Sequence, residues 1–273
     1  MAFQPSLQNT LASTGRTLYH LTHSCTRVIP GQSEYDDAHI HSCYEIYVNI
    51  AGEVSFLVNS RVMRLEQGGI VFTRPNDVHV CLYPTAREYE HYCLWIDDPE
   101  GNLLSFTQGE SFSPFILLPP EEREEIGALL HAILEEGESE LSKTASFLRI
   151  LAILERGGQS RNSPVPLQIP AEMQKILNYI DASFSEIHHI REVYETFYIS
   201  PATLTRWFRR YVGISPRAFL ESKKIACAKE LLGRGESVTQ AALQSGFSDC
   251  SHFISVFKKK IGVTPKGYQQ GKL

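Results

Sequence analysis

No two of the six cysteines in this 273-residue chain are spaced as C-x-x-C, and none falls in another zinc-binding spacing. Cys25, Cys43, Cys81, Cys93, Cys227 and Cys250 therefore read as reduced cytosolic thiols, not as a metal cage or a disulfide framework. Long apolar runs are missing as well, since none nears the roughly 18 residues that a membrane-spanning helix needs. The N-terminus MAFQPSLQNT lacks a basic segment followed by an apolar one, so no secretory leader is expected. With 42% hydrophobic and 21% charged residues, the composition is globular. The expectation is a soluble, cytoplasmic protein with no membrane partner, long enough for two domains.

Positive charge is scarce in the first part of the chain. Residues 1–170 hold 11 Lys+Arg against 22 Asp+Glu, a net of −11, whereas residues 171–273 hold 15 against 9, a net of +6. A basic C-terminal third on an acidic protein points to a polyanionic partner for that third alone.

Hydropathy patterning divides the chain at the same place. Residues 15–115 carry short β-rich runs (CYEIYVNI, EVSFLVN, GIVFT, HVCLY, EHYCLWI) between turn signals such as AGE, NSR, EQGG and RPND, which predicts an all-β sandwich or small barrel. The segment 119–156 reads as two amphipathic helices joined by EEGES. One stripe runs through Ile126, Leu129, Leu130 and Ile133, the other through Leu141, Phe147, Leu148, Leu151 and Leu154. Those stripes need a partner, either their own barrel or a second copy of the chain. GGQSRNSPVPLQIP, residues 157–170, has the composition of a linker. Four domains or segments follow: a barrel over 1–118, a hairpin over 119–156, the linker, and a helical domain over 171–273.

Within 171–273 one pattern is written twice. FRRYVGISP at 208–216 returns as FKKKIGVTP at 257–265, an offset of 49 residues. The alignment pairs Leu204 with Phe253, Trp207 with Val256 and Gly213 with Gly262, and upstream Tyr198 with Phe247 and Val193 with Ala242. Each copy reads as a short helix, a tight turn and a second helix whose last turn is basic. That is a helix-turn-helix, whose second helix fits a major groove about 12 Å wide. Arg209, Arg210, Lys258, Lys259 and Lys260 then stand where they neutralise phosphates. The helix between the copies, Pro216 to Leu232, spans about 25 Å at 1.5 Å per residue, enough to hold two reading helices near one turn of DNA apart.

SPATLTRWFRRYVGISP and GFSDCSHFISVFKKKIGVTP resemble the DNA-binding domain of AraC/XylS-type transcription regulators, and the resemblance covers residues 173–270. It implies base-reading positions at Ala202, Thr205 and Arg206 in the first copy and at Cys250, Ser251 and Ser255 in the second, with Thr203 and His252 as neighbours. A long basic or amide side chain is common in the family where Ser255 stands, and Gln where Cys250 stands. Arg206 suits a bidentate contact to guanine, so the first copy is expected to dominate direct readout and the second to act mainly through phosphates. The resemblance further implies double-stranded DNA and RNA polymerase as partners, a homodimer, and an activator.

In the barrel, His39-Ile-His41, then Glu45 and Gly52, resemble the first cupin motif, and Gly69, Pro75 and His79 resemble the second. The expected fold class is thus multidomain α+β: an all-β, cupin-like barrel with a helical hairpin, then an all-α domain with two helix-turn-helix motifs. His39, His41, Glu45 and His79 match the ligand set of metal-binding cupins, which leaves three uses open: a divalent metal, contact with an effector, or structural hydrogen bonding. The expected cofactor set is empty, with a metal-dependent cupin enzyme carrying a DNA-binding domain as the alternative. The candidate effector site comprises His39, His41, Glu45, Tyr47, Arg74, His79 and Trp95, with Tyr44, Phe72 and Tyr92 as further aromatic faces. Family members bind sugars in this way, which makes a carbohydrate the expected effector.

Overall fold

The structure, a computed structural model, describes residues 8–12, 18–28, 40–98, 101–109, 111–158 and 166–271. Two antiparallel sheets form the N-terminal half. In the larger, β1 (Gln8–Ala12), β2 (Leu18–Val28), β8 (Arg87–Asp97), β3 (Tyr44–Ala51), β6 (Gly69–Thr73) and β9 (Phe115–Leu117) lie side by side in that order. In the smaller, β4 (Val54–Val58) is flanked by β5 (Arg61–Leu65) and β7 (His79–Leu82).

The period of two along each strand sorts its side chains into separate layers. On β3, Tyr44, Ile46 and Val48 point away from the smaller sheet, whereas Tyr47 meets Val54, Phe56, Val71 and Cys93 between the sheets. On the smaller sheet, Phe56 and Met63 point inward, and Leu57, Val62 and Val80 point outward. Both sheets therefore carry apolar side chains on both faces, and the chain must supply two further layers.

The helical hairpin supplies the first. Helices α1 (Pro120–Leu134) and α2 (Glu140–Gly158) bury Ile126, Leu130, Ile133, Phe147, Ile150 and Leu154 against the larger sheet. Tyr19 of β2 stacks on Phe147 with ring centroids 4.2 Å apart. The hairpin thus packs on its own barrel, and the second predicted stripe is only partly inward: Leu141 and Leu148 remain 80% and 46% exposed. Helix α2 continues through Gly157 and Gly158, where any side chain would collide with Leu118 and Phe112 respectively, so these glycines serve packing.

The C-terminal helical half supplies the second layer. Pro166 bridges to Met63 of β5, and Leu167 donates its N–H to Val62. Helices α3 (Ala171–Ser183), α4 (Ile190–Thr196) and α5 (Pro201–Tyr211) follow, then α6 (Pro216–Gly233), α7 (Val238–Gln244), α8 (Cys250–Ile261) and α9 (Pro265–Gln269). Met173, Ile176, Leu177 and Ile180 of α3 share one apolar cluster with Leu57, Val62, Val78 and Val80 of the barrel. Helix α6 divides its length between two cores: Phe219 and Leu220 belong to the first helix-turn-helix, and Ile225, Ala228 and Leu232 to the second.

The two motifs repeat with one difference. Their second helices, α5 and α8, align at the expected offset of 49. Their first helices, α4 and α7, align at 48, because the second turn has one residue more. The residue with positive φ is Tyr198 in one turn and Gly246 in the other, so Ile199, not Tyr198, corresponds to Phe247 at the corner. Tyr198 is 96% exposed. Gly246 is obligatory, since a Cβ there would enter the backbone of Ser185.

Candidate functional site

Two sites emerge, one inside the barrel and one on the helical surface. In the barrel, β3 delivers Glu45 to the interior, β7 begins with His79, and His41 lies just before β3. Both imidazoles address one carboxylate oxygen: Glu45 Oε2 is 2.9 Å from His79 Nε2 and 3.1 Å from His41 Nε2. The Cys93 thiol donates to the other oxygen, Oε1, at 3.6 Å. His79 Nδ1 lies 2.9 Å from the Asp77 carbonyl, which fixes that nitrogen as the N–H and turns Nε2 toward Glu45.

This geometry sets the charges. Burial alone would raise the Glu45 pKa, but hydrogen bonds from His41 and His79 outweigh it and hold the carboxyl well below its ordinary range. Burial alone would lower His79, yet the Glu45 carboxylate and the Asp77 carbonyl raise it above its ordinary value. The pair is a buried carboxylate–imidazole contact in which both carboxylate oxygens and both ring nitrogens have partners. Two imidazole nitrogens and a carboxylate, all within 4.8 Å of one another, also suit a divalent cation, and His79 has the anchored Nδ1 that such ligands need.

Around this cluster the expected residues divide. Trp95 sits opposite Glu45 on the β3–β8 ladder, is half-buried, and lies 6.5 Å from His41 and 5.7 Å from His20 between ring centroids. Tyr47 is deeper, 3% exposed, stacked on His91 at 4.7 Å. Arg74 is held at the turn after β6, its Nε 3.4 Å from Asp77 Oδ2. His39 lies outside the described residues. Tyr44, Phe72 and Tyr92, expected as stacking faces, belong to the opposite layer: they pack in the cluster beneath α1 and α2. The period of two had placed them on strands without saying which face was the interior.

Cys93, Thr73 and His91 join this cluster although no motif marks them in the sequence. Alternation along β8 puts 91, 93 and 95 on one face, and the ladders place Thr73 and Trp95 opposite Glu45. Burial lowers the His91 pKa to about 4, so this imidazole is neutral at physiological pH.

On the helical surface, Ser200 caps α5 by accepting from the Thr203 N–H at 3.1 Å, and Pro201 starts the helix. Leu204 and Phe208 face inward, which leaves Ala202, Thr205, Arg206, Arg209 and Arg210 lining one open depression with Pro201. The Thr203 hydroxyl is occupied by Ser200 at 2.9 Å. In the second motif Asp249 caps α8, accepting from His252 N–H at 2.5 Å. Ser251, His252, Ser255, Lys258 and Lys259 are exposed, and Cys250 is partly packed into the core. His252 Nε2 is met by Arg217 of α6 at 3.2 Å. Lys260 folds back to donate to Ser222 at 3.0 Å, which leaves Lys258 and Lys259 as the outward charges of that turn.

Residues 22–155 match the family described as an AraC-like ligand binding domain, and residues 194–271 match a helix-turn-helix domain family. The chain belongs to the AraC family of transcription regulators. As an AraC-family protein it is a DNA-binding regulator under effector control, with the effector-binding domain first and the helix-turn-helix domain second. The HTH-type transcriptional activator RhaS of Escherichia coli (strain ED1a) is 25% identical over 265 residues, spanning 88% of this chain and 90% of that protein. The regulatory protein PocR of Salmonella typhimurium is 31% identical over 131 residues, which is 48% of this chain and 43% of PocR. Among solved structures, ToxT from Vibrio cholerae bound to an unsaturated fatty acid is 16% identical, covers 95% of this chain and 97% of its own, and gives a TM-score of 0.39. Among the described residues, no helix of this AraC-family chain is long and apolar enough to cross a membrane.

Proposed function

We propose that this chain is a cytoplasmic, homodimeric transcription activator, not an enzyme, and that its barrel binds a carbohydrate. The observation that carries the ligand class is the half-buried Trp95 ring beside His41 and the buried Glu45. An indole face accepts the apolar C–H side of a sugar ring, and a carboxylate flanked by imidazoles accepts and donates to its hydroxyls. Double-stranded DNA meets α5 and α8, and the activator reading, supported by the likeness to RhaS, adds RNA polymerase as a partner. The exposed Leu141 and Leu148, seven residues apart on α2, support a dimer face on the hairpin.

Effector control needs the ligand to favour one arrangement of the domains over another. A chain of contacts supports a route. From Glu45 it runs through His79 to the Asp77 backbone, from the Asp77 carboxylate to Asn59 Nδ2 at 2.8 Å, and from Asn59 Oδ1 to Lys223 Nζ at 2.7 Å. Lys223 belongs to α6, the helix shared by both DNA-binding motifs.

A thermal-shift screen of mono- and disaccharides on the full-length protein tests the ligand class, because a ligand that binds the folded state raises its melting temperature. One saccharide is expected to stabilise the wild type and to lose its effect on Trp95→Ala and Glu45→Gln. A screen without a hit, or a hit indifferent to both substitutions, contradicts the reading. The enzyme alternative is tested by metal analysis: the proposal expects no stoichiometric metal, and one equivalent lost on His41→Ala would overturn it.

A further inference from the structure

We infer that Ile254 is a base-reading residue, and that the second helix-turn-helix recognises thymine through the C5-methyl group. The inference rests on the proposal that α8 enters the major groove, and it names what that helix reads there.

Helix α8 divides its apolar residues unevenly. Phe253 and Phe257 are fully buried, and Cys250, Val256 and Ile261 pack against the same core. Ile254 does not join them; it is 38% exposed and stands beside Ser251, Ser255 and Lys258 on the solvent face. The face is built around it: residues 251, 254, 255 and 258 follow the three-and-four spacing of one helix side. Ile254 leaves more than a third of its surface in water on a short, otherwise polar face, and that exposed part gains nothing for the folded monomer.

The repeat shows what stands in its place elsewhere. At the offset of 49, Ile254 corresponds to Thr205 and Ser255 to Arg206, and Thr205 and Arg206 line the same depression on α5. The chemistry at these two positions therefore changes between the copies. The first offers a hydroxyl and a guanidinium, which suits the polar edges of guanine and its neighbours. The second offers a branched aliphatic group and a small hydroxyl. In the major groove the one apolar feature on a base edge is the methyl group of thymine, and an aliphatic side chain is its natural contact. Arg217, ion-paired with Glu221 on α6, meets His252 Nε2 at the start of α8 and steadies the neighbouring residue. The second motif thus reads a base with more than the little chemistry that Cys250 and Ser255 offer; the reading residue lies between them.

The test uses the full-length protein and a duplex obtained by binding-site selection. Each thymine of the half-site bound by the second motif is replaced singly by uracil, which removes only the methyl group. Wild type is expected to lose affinity about four-fold at one or two of these positions, the weight of roughly one methyl group left in water. Ile254→Ser is expected to bind the thymine and uracil duplexes equally, and Ile254→Val to retain part of the discrimination. Ile254 is exposed, so both variants should fold, which circular dichroism and unchanged sensitivity at the first half-site would verify. Equal responses of wild type and Ile254→Ser to every replacement overturn the inference. If Lys258→Ala and Lys259→Ala also leave the salt dependence of binding unchanged, α8 is off the DNA and the underlying reading fails with it. If those lysines matter while the methyl groups do not, the inference on Ile254 alone is lost.

Discussion

The Lys223 ammonium, on the helix shared by both DNA-binding motifs, lies 2.7 Å from Asn59 Oδ1 in the β4–β5 turn of the effector barrel and is ion-paired with Asp181 of α3. Lys223 is 6% exposed, and burial lowers its pKa against the opposing pull of Asp181. Ser60 completes the junction: its hydroxyl donates to Asp181 at 3.2 Å, and its carbonyl accepts from Gln174 at 2.9 Å. A buried ammonium is costly unless its partners are in place, so the junction is sensitive to small displacements of the turn.

A double-mutant cycle of Asn59→Gly and Lys223→Met measures that contact. Glycine is the right replacement because Asn59 has a φ of 55°, which other side chains adopt only with strain. The expected coupling in unfolding free energy is about 0.5–3 kcal/mol. Additive effects would mean that the two residues are neighbours without an energetic link.

The barrel cluster predicts a two-sided pH dependence. Glu45 has a folded pKa below its ordinary 4.5, so its stabilisation is complete above that value and is lost as pH falls through the folded pKa. His79 is raised above its ordinary 6.5, so its stabilisation is complete below that value and is lost as pH rises through the folded pKa. The pair's own contribution to the melting temperature is therefore expected to be largest between about pH 4.5 and 6.5 and to fall on either side, superposed on the loss below pH 6.5 that the buried, neutral His91 adds as the unfolded chain gains its proton. Glu45→Gln should flatten both arms. Parallel profiles for wild type and variant would show that the pair does not set the pH response.

In the first motif, Arg206→Ala is expected to cost about 1–3 kcal/mol of binding to the selected site and to relax base preference at one position. Lys258→Ala and Lys259→Ala should instead weaken binding to all sequences alike, each lowering the log–log salt slope by about 1. A binding-site selection on each variant separates the two behaviours. An unchanged preference in Arg206→Ala would move specificity away from α5.

What was legible in the sequence was local. Ser200-Pro201 and Ser215-Pro216 announce helix starts through residues adjacent in the chain, and α5 and α6 begin there. Thr264-Pro265 carries the same signal for α9, which the repeat could have revealed. The offset slipped by one upstream of α5 because the two turns solve the same bend with Tyr198 and Gly246, and a fixed register cannot see an inserted residue. Glu45 and His79 were paired by motif, since their spacing follows from strands of regular length. Layer assignment was harder: Tyr44 and Tyr47 share a strand and face opposite cores, and composition does not distinguish them. The junction was out of reach, because Asn59 and Lys223 are 164 residues apart and neither belongs to a motif.

Effector control means that occupancy of the barrel changes the affinity of the helix-turn-helix domain for DNA. Its most direct measurement is the dissociation constant for the selected duplex at one fixed salt concentration, with and without the saccharide found by thermal shift, in wild type and in Lys223→Met. Effector control through this junction predicts a shift of about 5-fold or more in wild type and a smaller shift in Lys223→Met. An affinity that is the same with and without a bound saccharide would contradict it.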